Sequence, residues 1–258
     1  LYILFAVSGK QWGPQCHVMR LKEGGEITDP DSWDDPIRVV KKDGTYLTET
    51  GITLDMTYLD VEGTSYVIWS ERYRIGQPDD SGSMLYIATV DPEKPWQLTS
   101  DPVLLSRPLY GWENNERTIN NEGPHPLITD SHVYITYSGG AANGYTYVIG
   151  LLAIEKGKDL LDVSNWYKAP APVLSFYSIE GEYGPGHNAF FTNEHGDVMI
   201  TYHAEPTMRG SKRCTAIRRV HFDIDGEPRF DLSRERDLNN DLARVATRVV
   251  VEKNSVSE

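Results

Sequence analysis

The feature that most constrains this chain is an internal repeat with a period of about 65 residues, the mark of an architecture that uses one supersecondary unit several times. Three segments carry it: Leu54–Ser70, Asn121–Ser138 and Gly186–His203. Each places a polar residue near its start (Asp55, Glu122, His187), then a strand-like run and a polar turn. A second run follows and closes on an aromatic residue plus Ser or His. Turn residues between two such runs bring them side by side as a β-hairpin. Tyr2–Ser8 matches the second half of the unit only.

A further strand recurs at His17–Leu21, Leu85–Thr89, Val148–Leu152 and Ala216–Val220. After three of these comes an acidic turn ending on tryptophan: Trp33, Trp96 and Trp166. Three to four strands per unit describe a propeller blade. A sandwich also has short, regularly spaced strands, but the same features in the same order, three times over, favour the propeller. The segment 232–245 is the one helix-like stretch, and Ala246–Glu252 reads as an added strand in a charged tail, 231–258.

Blade geometry turns this repeat into a functional expectation. The first strand of each blade lines the central channel, so Asp55, Glu122 and His187, set at the same place in successive units, are expected to converge at one mouth of it. Two carboxyl groups facing a shared pocket are what glycoside hydrolysis requires.

Charge supports a neutral partner. The 258 residues carry a formal net charge of −13, whereas nucleic-acid binding draws on a positive surface; nucleic acid and anionic membranes are therefore not expected. No apolar run is long enough to span a bilayer and no leader is visible, which leaves extracellular and bacterial cytoplasmic locations both open. The two cysteines, Cys16 and Cys214, form no metal-binding spacing. Two buried thiols are the simpler reading of them, beside a disulfide that sequence does not reveal.

Leu54-Asp-Met-Thr, Asn121-Glu-Gly-Pro, Tyr183-Gly-Pro-Gly-His-Asn and Tyr202-His-Ala resemble glycoside hydrolase family 43. Leu105-Ser-Arg-Pro-Leu-Tyr-Gly-Trp-Glu113 and Asp159-Leu-Leu-Asp-Val-Ser-Asn-Trp166 are similar to its exo-acting α-L-arabinofuranosidase branch. The resemblance covers residues 1–230 and implies an all-β, five-bladed propeller and an inverting glycosidase acting on arabinose- or xylose-containing oligosaccharides of plant type. A β-xylosidase, an endo-arabinanase and an inactive glycan-binding propeller are the alternatives.

The resemblance implies that Glu122 is the general acid and Asp55 the carboxylate that orients it. A negative neighbour favours the protonated form of an acid. Trp12, Trp112 and Tyr183 are candidate sugar platforms, and Trp33, Trp96 and Trp166 candidate packing residues. Arg213 is a candidate partner of Glu122 or of a sugar hydroxyl. His187 matches an axial histidine beside which the family often holds a calcium ion. Calcium prefers oxygen ligands, so a water-mediated contact is expected, and no cofactor is required. The family's general base, an aspartate of the first blade, has no counterpart in the sequence. The expectation is a ring lacking its first blade and part of the second, with open edges that invite a partner chain or self-association.

Overall fold

The computed structural model describes residues 1–209 and 212–230, so the expected helix over 232–245 and strand over 246–252 lie outside the described residues. Among the described residues four antiparallel sheets of three or four strands follow one another, each a meander in sequence order, with two further two-stranded ribbons. The first holds Tyr2–Val7, Gln15–Arg20 and Ile37–Arg38. The second holds Ile52–Val61, Thr64–Arg72, Met84–Thr89 and Val103–Ser106. Asn121–Ile128, His132–Gly139, Val148–Glu155 and Tyr167–Lys168 form the third. Tyr183–Thr192, Val198–Glu205 and Cys214–Arg219 form the fourth.

All three repeats fold as the expected hairpins. The tightest joins Val61 to Thr64 through Glu62 (φ 52°) and Gly63 (φ 81°), the two positive φ values that a two-residue turn of matching twist needs.

Packing follows from the runs Tyr66-Val-Ile-Trp69 and Val133-Tyr-Ile-Thr-Tyr137, buried along their length. Side chains alternate across a strand, so such runs must be covered on both faces. Val67 and Trp69 pack toward Cys16 and Val18 of the first sheet and Val39 just beyond its last strand. Ile68, from the other face, packs with Ile135, Tyr137 and Leu152 of the third. Tyr134 and Ile149 face the opposite way, toward Ile200 and Tyr202 of the fourth. The molecule is thus a series of sheets with an apolar layer between each pair. Among the described residues the outer faces of the first and fourth sheets have no sheet of the series packed on them, and the sheets do not close.

The recurrent tryptophans are packing devices. Asp29 and Asp162 cap short 3-10 turns at Pro30–Ser32 and Val163–Asn165. The tryptophan that ends each turn donates its indole N–H to a carbonyl six residues back, Trp33 to Ile27 and Trp166 to Leu160. Trp96 packs against the layer between the first two sheets.

A buried ion pair sits behind the third sheet's first strand. Glu113 is fully buried. It accepts from the Tyr110 N–H, Asn121 Nδ2 and the Tyr137 hydroxyl, all at 2.8 Å, and lies 2.6 Å from Lys168 Nζ. This network fixes Asn121, the residue before Glu122.

Both cysteines are free. Cys16 is buried, as expected, and burial pushes its thiol up to about 12. Cys214 corrects the expectation: it is exposed, because the strand Cys214–Arg219 lies at the edge of the fourth sheet.

Candidate active site

The first strand of the third sheet lies against those of the second and fourth, and each of the three carries a β-bulge near its start. Pairing jumps from Leu54↔Ser70 to Thr57↔Ile68, from Glu122↔Ser138 to His125↔Thr136, and from Gly186↔His203 to Ala189↔Thr201. In each case three steps on one strand meet two on the other. The extra residue is left-handed: Asp55 (φ 55°), Gly123 (φ 58°) and His187 (φ 52°).

This register corrects the sequence alignment by one residue. Asp55 and His187 are equivalent, but Glu122 is equivalent to Leu54 and Gly186, and Gly123 takes the position of Asp55. A bulge inserts one residue in a strand without changing the motif's appearance, so an alignment by residue type slips there. Left-handed Asp and His each cost on the order of 1–3 kcal/mol of backbone strain, which clusters at functional sites.

The bulges bring Asp55, Glu122 and His187 together, as expected, through contacts that differ from a direct carboxyl pair. Asp55 Oδ1 lies 3.3 Å from His187 Nε2, and its Oδ2 accepts the Gly123 N–H at 3.1 Å. The Ser70 hydroxyl stands 3.5 Å from the same oxygen. The His187 backbone N–H donates to Ser138 Oγ at 2.7 Å.

Glu122 is held by Tyr147, a residue absent from the sequence-based candidates. The Tyr147 hydroxyl donates to Glu122 Oε1 at 2.7 Å and lies 3.5 Å from His187 Nδ1. Its ring is fully buried and stacks on His203 with centroids 5.6 Å apart and an interplanar angle of 9°. Gly186 makes room for it: a Cβ there would fall 2.1 Å from Tyr147 Cε1. Gly123 makes room for His187 in the same way, with a Cβ position 3.1 Å from the imidazole. One unremarkable Tyr before an apolar run carries no motif, because its partners come from other sheets.

The electrostatics fit a proton-handling cluster. The Asp55 hydrogen bond raises the pKa of His187, helped by the charges of Asp55 and Glu122 and opposed by burial and Arg213. Burial, then the Glu122 charge, raises that of Tyr147, which keeps its phenol a donor. Burial and the nearby Arg213 and His187 bring His203 down to about 4, so it stays neutral. With Oε1 of Glu122 taken up as an acceptor, an acid proton belongs on Oε2.

The other candidates divide. Trp12 is 70% exposed on the loop after Tyr2–Val7, at the site's end of the sheets, since the Thr53 N–H donates to the Pro14 carbonyl. Tyr183 is half-buried at the start of its strand. Trp112 corrects the expectation of an open platform: its ring stacks with Tyr110 and Tyr137 and its indole N–H donates to the Pro170 carbonyl. Arg213 donates to the Ala142 carbonyl at 2.6 Å rather than to Glu122.

Among the described residues no group of three or more His, Cys, Asp or Glu could hold a metal ion. His187 Nε2 faces Asp55 and its Nδ1 the Tyr147 phenol.

Comparison with known proteins places this geometry in context. Residues 1–228 match the model of glycosyl hydrolases family 43. The chain is 27% identical over 242 residues to an extracellular exo-α-(1→5)-L-arabinofuranosidase of Streptomyces avermitilis, covering 90% of the chain and 47% of that protein. It is 34% identical over 154 residues to the protein of the same name from Streptomyces chartreusis, covering 59% of the chain and 44% of that protein. The chain thus spans about half the length of these relatives. Among solved structures, an α-L-arabinofuranosidase from Lactobacillus brevis superposes with a TM-score of 0.75 at 28% identity, over 89% of this chain and 71% of that one.

Proposed function

The chain belongs to glycosyl hydrolase family 43, and from that premise we propose that it is the acid-bearing part of an inverting glycosidase that releases terminal α-L-arabinofuranosyl units from arabinan- or arabinoxylan-type glycans outside the cell. The arabinofuranosidase relatives support the sugar, and the name of the Streptomyces proteins supports the location. The observation that carries the reading is the Glu122 carboxyl, held through Oε1 by a buried phenol beside the Asp55–His187 pair.

In this mechanism Glu122 gives the Oε2 proton to the glycosidic oxygen as the bond to the anomeric carbon breaks. Asp55, held by His187 and the Gly123 N–H, orients the backbone next to the acid. Tyr147 fixes the rotamer of Glu122. A water attacks the opposite face of the sugar and gives its proton to a base roughly 6.5–9.5 Å from the acid. Among the described residues the polar partners of Asp55 and Glu122 are Ser70, Gly123, Tyr147 and His187. By resemblance the family's base is an aspartate of the first blade with no counterpart in this sequence, and we place it outside the described residues, on a fifth blade that covers the open faces of the first and fourth sheets.

The test uses aryl α-L-arabinofuranosides and aryl β-xylosides with the chain as it stands. Turnover is expected to be slow in water and to rise with azide, a nucleophile that needs no base. Inversion makes the β-arabinofuranosyl azide the expected product from the α-arabinofuranoside, and the α-xylosyl azide from the β-xyloside. Full turnover without azide would show that the chain contains its own base. Glu122→Gln should lose far more activity on poor leaving groups than on activated ones; equal loss on both removes Glu122 as the acid.

A further inference from the structure

We infer that Tyr145, Phe176 and Tyr177 form a subsite for a neutral sugar unit of the substrate chain adjoining the one that is cleaved; the inference rests on the glycosidase reading above. Tyr145 is 38% exposed and Tyr177 86% exposed. Phe176 lies between them, edge-on to Tyr145 at 5.2 Å and 4.0 Å from Tyr177, centroid to centroid. Single exposed aromatics are ordinary, but a contiguous cluster signals a contact surface.

The cluster is fastened beside the acid. Tyr145 precedes Tyr147 by two residues, at most about 7 Å of chain, and its carbonyl accepts the Gly184 N–H at 2.9 Å. Phe176 and Tyr177 follow Leu174, whose carbonyl accepts the Ile149 N–H at 2.9 Å, two residues past Tyr147. The turn that presents them is clamped by the Ser178 N–H, which donates to the Ser175 carbonyl, and by the Ser175 N–H, which donates to Ser178 Oγ. Both attachments thus lie within two residues of the phenol that holds Glu122.

The chemistry of the surface selects its ligand. Aromatic rings present an apolar face to the C–H face of a sugar, and a tyrosine hydroxyl serves the sugar's rim. A net charge of −13 favours an uncharged ligand over an anionic one. Rigid attachment means that little ordering entropy is lost on binding.

Calorimetry of the whole chain with short linear arabino- and xylo-oligosaccharides tests the subsite without requiring turnover. Tyr177→Ala, at a site too exposed to disturb folding, should weaken oligosaccharide binding roughly tenfold. Tyr177→Phe, which keeps the stacking ring, should keep most of the affinity. Wild-type affinity in Tyr177→Ala overturns the subsite, and so does an unchanged affinity with loss of self-association, which would make the cluster an interface between copies. Binding of xylo- but not arabino-oligosaccharides, weakened by Tyr177→Ala, upholds the subsite and overturns the sugar proposed above. Binding of neither overturns both.

Discussion

Lys168→Met probes the buried network that fixes the strand bearing the acid. Lys168 Nζ lies 2.6 Å from Glu113 Oε1, with side-chain exposures of 18% and 0%, and it also donates to the Arg107 carbonyl. Burial lowers the pKa of Lys168, while the Glu113 hydrogen bond and charge oppose this. Methionine fills similar volume but leaves Glu113 buried without a counter-charge, a change that costs about 3–5 kcal/mol. The three remaining donors to Glu113 put the expected value at the low end, near 3 kcal/mol. At about 2–4 °C per kcal/mol for a domain of this size, Tm should fall by about 10 °C. Urea unfolding followed by tryptophan fluorescence measures the free energy, with Trp112 reporting from the network itself. The double variant with Glu113→Gln should recover most of the loss, because the stranded charge is gone. A cost below about 1 kcal/mol for Lys168→Met would place the pair with exposed surface ion pairs and refute its structural role.

Other outcomes follow from single groups. Burial raises the Glu71 carboxyl from 4.5 to about 7 despite its bond from the Trp69 indole. The unfolded chain releases that proton near pH 4.5 and the folded one only near 7, so stability should decline as pH rises through this window. Glu71→Gln should flatten that decline and stabilise the protein at pH 8 by at most about 3 kcal/mol, measured as Tm against pH; a parallel pair of curves sinks the assignment. Gly186→Ala must displace the Tyr147 ring and should cost about 10²-fold in azide-assisted turnover of poor substrates; unchanged rates would show that the ring's position is immaterial. Tyr147→Phe keeps the packing but removes the donor to Glu122, and should cost about tenfold or more on the same substrates with little change on activated ones.

The hairpins and the Trp-closed turns were legible because local chemistry dictates them: alternating runs, acidic caps and turn residues recur in order. Asp55, Glu122 and His187 were legible as a converging group because the repeat places them in successive units. Three things were hidden. The one-residue slip at Glu122 follows from bulge geometry, which the motifs mask. Tyr147 reaches the site from the residue before the third strand of its sheet, just outside the recurring segment Val148–Leu152. Trp112 looked like a platform because an exposed loop tryptophan and one stacked between two tyrosines have the same sequence signature.

The shared bulge works as a socket with two seats, and the three strands fill it differently. The paired seat holds Leu54, Glu122 and Gly186; the left-handed seat holds Asp55, Gly123 and His187. Each glycine is a seat vacated for a neighbour, Gly123 for the His187 imidazole and Gly186 for the Tyr147 ring. The acid therefore cannot be moved one sheet along by a single exchange. Placing a glutamate at 186 evicts Tyr147, and a side chain at 123 strains a left-handed residue and pushes the His187 imidazole, so the cluster must be redesigned as a unit or left as it is.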